Sequence, residues 1–263
     1  MKNTIVSKIK TFNIWAKVFF CLSFVGRYLP TSIHHKLRRF FWHSFWIREE
    51  LEEERELGVK SRSPIGGSER AVFTECIGEA HPFSSLLEVG CGFGQGFFTF
   101  ADVFSGVKNS VKFVGIDSNE RRISEGKTLL VKRGLEFVDL QVADGAALPF
   151  AEGSFDIVVS AGFMLFVPPE KIGQVLSEML RVCGRRIFLL EQHHDANFSI
   201  NNQISTYIAR KNSSDGYWLH DFNLLFAKQP DVRKVIIHTV PHPRWDLEHW
   251  MTNGAVVEVR KVL

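Results

Sequence analysis

The first chemical signal in the chain is the run Glu88-Val89-Gly90-Cys91-Gly92-Phe93-Gly94, entered through Leu86-Leu87 and left through Gln95-Gly96. Glycines at alternate positions let a backbone turn sharply and approach a bound group with no Cβ between them. The dinucleotide-binding fingerprint needs glycines at positions one, three and six. Counted from Gly90, the sixth position is Gln95, so that pattern fails. The carboxylate of Glu88, two residues before the first glycine, suits a cationic ligand better than a pyrophosphate. Asp117 follows Gly94 by 23 residues, about one helix plus one strand. Its carboxylate is either an acceptor for hydroxyl donors or the N-cap of the next helix. Asp144, in Ala143-Asp144-Gly145, is either a ligand contact or a turn residue. Histidine is the usual proton acceptor near neutral pH. The candidates are His193 and His194, in Glu191-Gln192-His193-His194-Asp195, and His220, in Tyr217-Trp218-Leu219-His220-Asp221-Phe222. The competing reading for each is a bystander on a loop or at a helix start. His238, His242 and His249 lack metal-ligand spacing. Cys21, Cys76, Cys91 and Cys183 form no CxxC pair, so neither a metal site nor a disulfide framework is expected, and reduced thiols of a cytoplasmic protein are.

The elements that must hold these residues are legible as a change of period. Residues 3–28 place Ile5, Ile9, Phe12, Trp15, Phe19 and Leu22 three or four apart, which predicts a helix stopped by Pro30. Leu37, Phe40, Phe41 and Phe45 mark a second helix, and Glu49–Glu56 is an acidic run. Ser61–Ser68 (SRSPIGGS) reads as a linker, which gives an expected boundary between an extension, 1–60, and a domain, 61–263. Beyond it, helices are expected over 69–80, 97–104, from 117 to about 133, and 168–182. Strands are expected over 85–89, 111–116, 136–142, 155–160, 186–190, 232–240 and 255–262, and residues 199–228 read as helical or irregular. Alternating strands and helices imply a mostly parallel α/β sheet with helices on both faces. Ligands in such sheets sit beyond the carboxyl ends of the strands, where the glycine run, Asp117, Asp144 and the His193 segment all fall.

These residues resemble class I S-adenosylmethionine-dependent methyltransferases, whose first motif is E/D-x-G-x-G-x-G. The resemblance continues through Val114-Gly115-Ile116-Asp117, Ala143-Asp144-Gly145 and Leu148-Pro149-Phe150. It then reaches Ser154-Phe155-Asp156-Ile157-Val158-Val159-Ser160, much like the small-molecule methyltransferase pattern, and covers roughly residues 68–195. It implies a Rossmann-like seven-stranded sheet whose last strand is reversed, and S-adenosylmethionine as cofactor. It implies a cofactor set of Glu88, Gly90, Gly92, Gly94, Asp117, Ser118, Asp144, Gly145 and Ser160, with Asp117 at the ribose hydroxyls and Asp144 at the adenine amino group. Asp156 reads as the start of its strand, and Phe93 and Phe163 as cleft lining or as core. His193, His194 and His220 are the candidate catalytic bases near the acceptor. The family often carries a Pro-Gly-Gly turn before its fifth strand. This chain has Cys183-Gly184-Arg185-Arg186, where Gly184 is expected to make the turn. No Asn-Pro-Pro-Tyr-like motif follows the fourth strand, which argues against methylation of amino groups on DNA bases or glutamine.

Composition bounds the partners. The 263 residues are 45% apolar and 23% charged, which excludes disordered and collagen-like classes. The net charge of +3 conceals a split: residues 1–48 hold nine Lys/Arg and no Asp or Glu, and the rest is mildly acidic. Eleven of the 33 aromatics also fall in residues 1–48. The longest apolar run, Val18–Gly26, is far short of the ~20 residues that span a bilayer. The basic aromatic segment therefore reads as a peripheral contact with the inner membrane face, as a nucleic-acid grip, or as helices that pack on the domain or pair in a dimer. The acidic balance of the domain disfavours nucleic acid. The expected function is methyl transfer to a small-molecule, glycan or lipid-linked acceptor. The alternatives are an RNA or protein methyltransferase and a non-catalytic S-adenosylmethionine-binding protein.

Overall fold

The structure, a computed structural model, describes residues 69–193 apart from 105 and 107–109, together with 218–239 and 254–262. The chain divides into two units, Met1–Arg62 and Ser63–Leu263, and the described residues all belong to the second. The helices expected in the basic segment, the acidic run, the 60/61 boundary and His194 lie outside the described residues.

The elements run α1 (Glu69–Gly78), β1 (Ser85–Val89), α2 (Gly96–Val103), β2 (Lys112–Asp117), α3 (Glu120–Lys132), β3 (Val138–Val142) and β4 (Phe155–Ala161). A short 3-10 turn, Met164–Phe166, precedes α4 (Pro169–Val182), β5 (Cys183–Gln192), α5 (Phe222–Phe226), β6 (Val232–Thr239) and β7 (Gly254–Lys261). The strands make one seven-stranded sheet in the order β3-β2-β1-β4-β5-β7-β6. β1 to β5 pair in parallel, and β7 runs antiparallel to both of its neighbours. The reversed strand is thus the last in sequence but lies inside the sheet.

Successive strand residues point to opposite faces, so strands covered on both sides read as continuous apolar runs. Leu86, Phe113, Ile157, Val159, Phe188, Leu190 and Val256 join a core with Phe73 and Ile77 of α1, Phe97 and Phe100 of α2, and Ile123 and Leu130 of α3. Their neighbours Leu87, Val114, Val158, Ile187, Leu189 and Val257 point the other way, into a second core with α4 and with Phe222 and Phe226 of α5. α4 buries Ile172, Val175, Leu176, Met179 and Leu180, the three-and-four spacing of one helical face, and starts on Pro169, where a missing N–H costs nothing. α3 is capped by Asn119, whose side chain accepts from the N–H groups of Arg121 and Arg122 at 3.0 and 3.2 Å. It stops at Gly134, which is left-handed.

One expected boundary moves. α4 passes straight into β5 at Cys183, which is already extended (φ −84°, ψ 128°) and pairs with Phe155. Gly184 lies inside the strand and makes no turn. The charged pair Arg185-Arg186 disguises this half of the strand. Arg186 is neutralised from β7, where Glu258 lies 3.2 Å from its Nη1 and 2.7 Å from Arg260 Nε.

Candidate cofactor and acceptor site

β1, β2, β3, β4 and β5 deliver their carboxyl ends to one edge of the sheet, and the candidate residues gather there. At the end of β1 the chain takes left-handed φ at Gly90 (+76°), Gly92 (+56°) and Gly94 (+77°). The N–H groups of Gly90 and Cys91 both donate to the carbonyl of Ile116, at 2.8 and 2.9 Å, which ties the loop to β2. The two first glycines serve different needs. A Cβ on Gly90 would overlap the Phe163 ring, whereas a Cβ on Gly92 would meet nothing within 4 Å. Gly92 is therefore required by its conformation and borders open space, the side from which a ligand can approach.

Asp117 closes the far wall of this loop. Its Oδ2 accepts from Gly92 N–H at 3.0 Å and its Oδ1 from Asn119 N–H at 2.9 Å, with Arg122 Nη1 4.0 Å from Oδ2. Asn119 is the helix cap, so Asp117 is not. Its task here is to join the β2 end to the glycine loop. A carboxylate has about four acceptor positions, so two remain for other donors. Ser118 is exposed beside it. Glu88 is buried in β1, and its carboxylate packs where a Cβ on Gly96 would otherwise stand, 2.6 Å from Oε1. Cys91, inside the motif, is no nucleophile: burial pushes its thiol well above the ordinary value, and the negative charges of Glu88 and Asp117 add to the shift.

Beyond β3, Asp144 is exposed and its Oδ1 accepts from Ala146 N–H at 2.9 Å, an Asx-type turn. Gly145 is buried; a Cβ there would lie 3.3 Å from Phe163 Cζ and from Val89. Phe163 thus bridges the loops after β1 and β3. Asp156 sits at the opposite end of β4, where its carboxylate accepts from Ser84 N–H and Oγ at 2.6 and 2.7 Å. It fastens β4 to the entry of β1, away from the site.

The β5 side is built differently. Ser160 is fully buried, and its hydroxyl donates to Glu191 Oε1 at 3.0 Å. The same oxygen accepts from the N–H groups of Phe163 and Met164, at 2.9 and 3.0 Å. Burial pushes the Glu191 carboxyl up to about 7, against the lowering effect of those donors. Two residues on, His193 bridges to His220, and its ring stacks on Phe222 at 6.1 Å between centroids. Its Nδ1 accepts from Phe222 N–H at 3.4 Å, which leaves the neutral ring with its proton on Nε2. His220 is buried. Its Nε2 lies 3.1 and 3.0 Å from the carbonyls of Met164 and Val167, and carbonyls accept only, so this nitrogen carries a proton. Burial holds His220 below the usual histidine range, which favours the neutral ring.

The structure therefore gathers Glu88, Gly90, Gly92, Gly94, Asp117 and Ser118 around one loop, brings Gly145 to them through Phe163, and pairs His193 with His220. Ser160 reaches the group only through Glu191. Glu191 had no role assigned by sequence, although an acid ending the apolar run Ile187–Leu190 was its visible mark. Among the described residues no cluster of His, Cys, Asp or Glu could hold a metal ion.

Comparison with known proteins points to methyltransferases. Residues 86–185 match the model of a methyltransferase domain. The match covers less than half of the chain, which over these residues is similar to methyltransferase domains. The demethylmenaquinone methyltransferase of Lactococcus lactis is 34% identical over 112 residues, 42% of each chain. This chain thus spans about two-fifths of that relative's length. Two solved structures share the fold at low identity. A S-adenosylmethionine-dependent methyltransferase from Methanosarcina mazei has a TM-score of 0.51 at 17% identity, over 72% of this chain and 97% of that one. The [4+2]-cyclase SpnF has a TM-score of 0.53 at 16% identity, over 77% and 85%.

Proposed function

We propose that this domain binds S-adenosylmethionine at the carboxyl edge of β1–β4 and transfers its methyl group to a small-molecule, glycan or lipid-linked acceptor. The observation that carries the reading is the junction of Asp117 with the glycine loop. An acid with acceptor capacity to spare is fixed 3.0 Å from Gly92 N, beside a glycine that borders open space. S-adenosylmethionine supplies a methyl group on a sulfonium, so the leaving group is a neutral thioether that needs no acid. The domain has to hold donor and acceptor close and in line, where positioning alone is worth several kcal/mol.

In this reading Asp117 accepts from the ribose hydroxyls, with Ser118 beside it. Asp144 takes the adenine amino group through the oxygen not used by Ala146. The left-handed loop of Gly90, Gly92 and Gly94 accommodates the remainder, and the buried charge of Glu88 biases the loop towards a cation. Gly145 leaves room beside the adenine, and Ser160 acts through Glu191. His193 offers an Nε2–H to an acceptor oxygen and so orients it. His194 is the proposed base for an alcohol or phenol proton. His220 holds the 3-10 turn on which the acceptor side rests. The Lactococcus relative, named for demethylmenaquinone, supports a hydrophobic small-molecule acceptor.

Residues 1–60 form a separate extension in this proposal, and its basic aromatic part, 1–48, makes a peripheral membrane contact on the cytoplasmic side. Among the described residues no helix is long and apolar enough to cross a membrane. Flotation with anionic liposomes should carry the full chain and not a chain lacking residues 1–58. Equal, negligible flotation of both removes this part of the reading. Labelled methyl transfer into lysate fractions tests the activity itself: label is expected in the small-molecule or lipid fraction. Label confined to RNA or protein overturns the acceptor class. Binding of the cofactor with no transfer to any fraction would favour a different role for the fold, as the cyclase neighbour illustrates.

A further inference from the structure

The strongest unassigned feature is the buried carboxylate at the end of β5. Glu191 is 0% exposed, and one of its oxygens gathers three donors from a segment about thirty residues earlier in the chain: Ser160 Oγ, Phe163 N–H and Met164 N–H. Consecutive backbone N–H groups aimed at one point form an anion site, which this chain fills with its own carboxylate. Among the described residues the second oxygen, Oε2, is buried with no hydrogen-bond partner. Burying a carboxylate in this way is costly, and a neutral apolar side chain would pack the space without that cost. What the carboxylate supplies instead is a fixed direction for the backbone at Phe163. The Phe163 ring leaves no room for a Cβ at Gly90 and lies 3.3 Å from the place of one at Gly145. The same ring therefore meets the two loops that carry Asp117's partner Gly92 and the acidic residue Asp144.

We infer that Glu191 is a positioning residue for the cofactor cleft: its Oε1 clamps the β4 turn so that Phe163 is held as a common wedge beneath the β1 and β3 loops. The inference rests on the cofactor reading above and adds to it a long-range determinant on the acceptor side. Glu191 touches no reacting atom; it acts through Phe163. The turn is held from the other side by His220 Nε2, on the carbonyls of Met164 and Val167, and by Trp218 N–H, which donates to Leu165 at 2.8 Å. Loss of the clamp should therefore loosen the Phe163 backbone without releasing the whole turn.

The test compares wild type, Glu191→Gln, Phe163→Leu and the double variant. It reads amide hydrogen exchange over residues 160–167 without ligand, and calorimetric affinity for S-adenosylhomocysteine. Glu191→Gln keeps the volume and one acceptor oxygen but removes the charge. It should speed exchange at Phe163 and Met164 and weaken S-adenosylhomocysteine about tenfold. Phe163→Leu should weaken the ligand by a similar factor, and the double variant no more than either single one, because both changes break one linkage. A purely stabilising role for Glu191 would lower the melting temperature and leave the affinity of the folded protein unchanged, which overturns the inference. Unchanged exchange in Glu191→Gln overturns the clamp, whatever the ligand does. Fast exchange in the variant together with no ligand binding by wild type would overturn the cofactor reading and the positioning role that rests on it.

Discussion

The two halves of the ligand edge are built by different means. On the β1–β2 side, structure follows from short sequence runs. Three glycines turn the chain, and Asp117 at the end of the next strand takes Gly92 N–H at 3.0 Å. On the β4–β5 side nothing is local. A carboxylate at 191 holds a turn at 163–164, and a histidine at 220 holds the carbonyls of the same turn. The first half presents acceptors and open space to a ligand. The second uses Ser160 Oγ, Glu191 Oε1 and His220 Nε2 within itself. In the proposed reading the first half is the binding surface and the second is a scaffold beside it.

This contrast can be broken most sharply on the binding side. Gly92→Val forces a β-branched residue to φ +56°, although its side chain has room. The account expects loss of tight S-adenosylmethionine binding with the rest of the domain folded, read by calorimetry and circular dichroism. Retention of normal affinity would show that the loop conformation is not what binds.

On the scaffold side the signature is pH. Glu191 has a folded value raised from 4.5 to about 7, so between those values the native state holds the proton more firmly than the unfolded chain. Its neutral form is tolerated at low pH, and its cost, about 3 kcal/mol, develops as pH rises towards 7 and is complete above it. Urea unfolding should therefore show Glu191→Gln gaining stability on wild type from pH 5 to pH 8; a constant difference would contradict the buried carboxylate. His220 has the opposite slope. Its folded value lies below 6.5, so the stability from its neutral ring is present above 6.5 and is lost as pH falls through the lowered value. His220→Ala should cost roughly 1–3 kcal/mol at pH 8, because the carbonyls of Met164 and Val167 lose their donor, and should leave cofactor affinity nearly unchanged. A large loss of affinity with unaltered stability would instead make His220 part of the binding surface. The smallest effect belongs to Asn119→Ala, which removes the α3 cap: about 1 kcal/mol in urea unfolding, and little change in affinity if Asp117 keeps its bond to Gly92.

How much the sequence disclosed divides along the same line. The sheet was legible because buried parallel strands are apolar on both faces. Leu86-Leu87 and Ile157-Val158-Val159 feed opposite cores and leave unbroken runs. The glycine loop and Asp117 were legible because their constraints are local in sequence. The first residues of β5 were obscured by Gly184-Arg185-Arg186, a polar stretch made strand-like by Phe155 on one side and Glu258 on the other. β3 begins at Val138, two residues later than the apolar pattern suggested, because Leu135 N–H bonds back to Leu130 and Val138 N–H to Leu135 in the turn that closes α3. Glu191 was hidden altogether. Its partners at 160, 163 and 164 become neighbours only when β4 and β5 pair, and no spacing along the chain records that.

The central claim is that this edge holds S-adenosylmethionine through Asp117 and the glycine loop. Its most direct test is a calorimetric titration of S-adenosylmethionine into the full chain and into Asp117→Ala at one pH and salt concentration. The account predicts saturable one-to-one binding by the wild type and loss of tight binding in the variant. No heat from the wild type, or equal affinity in both, would contradict it.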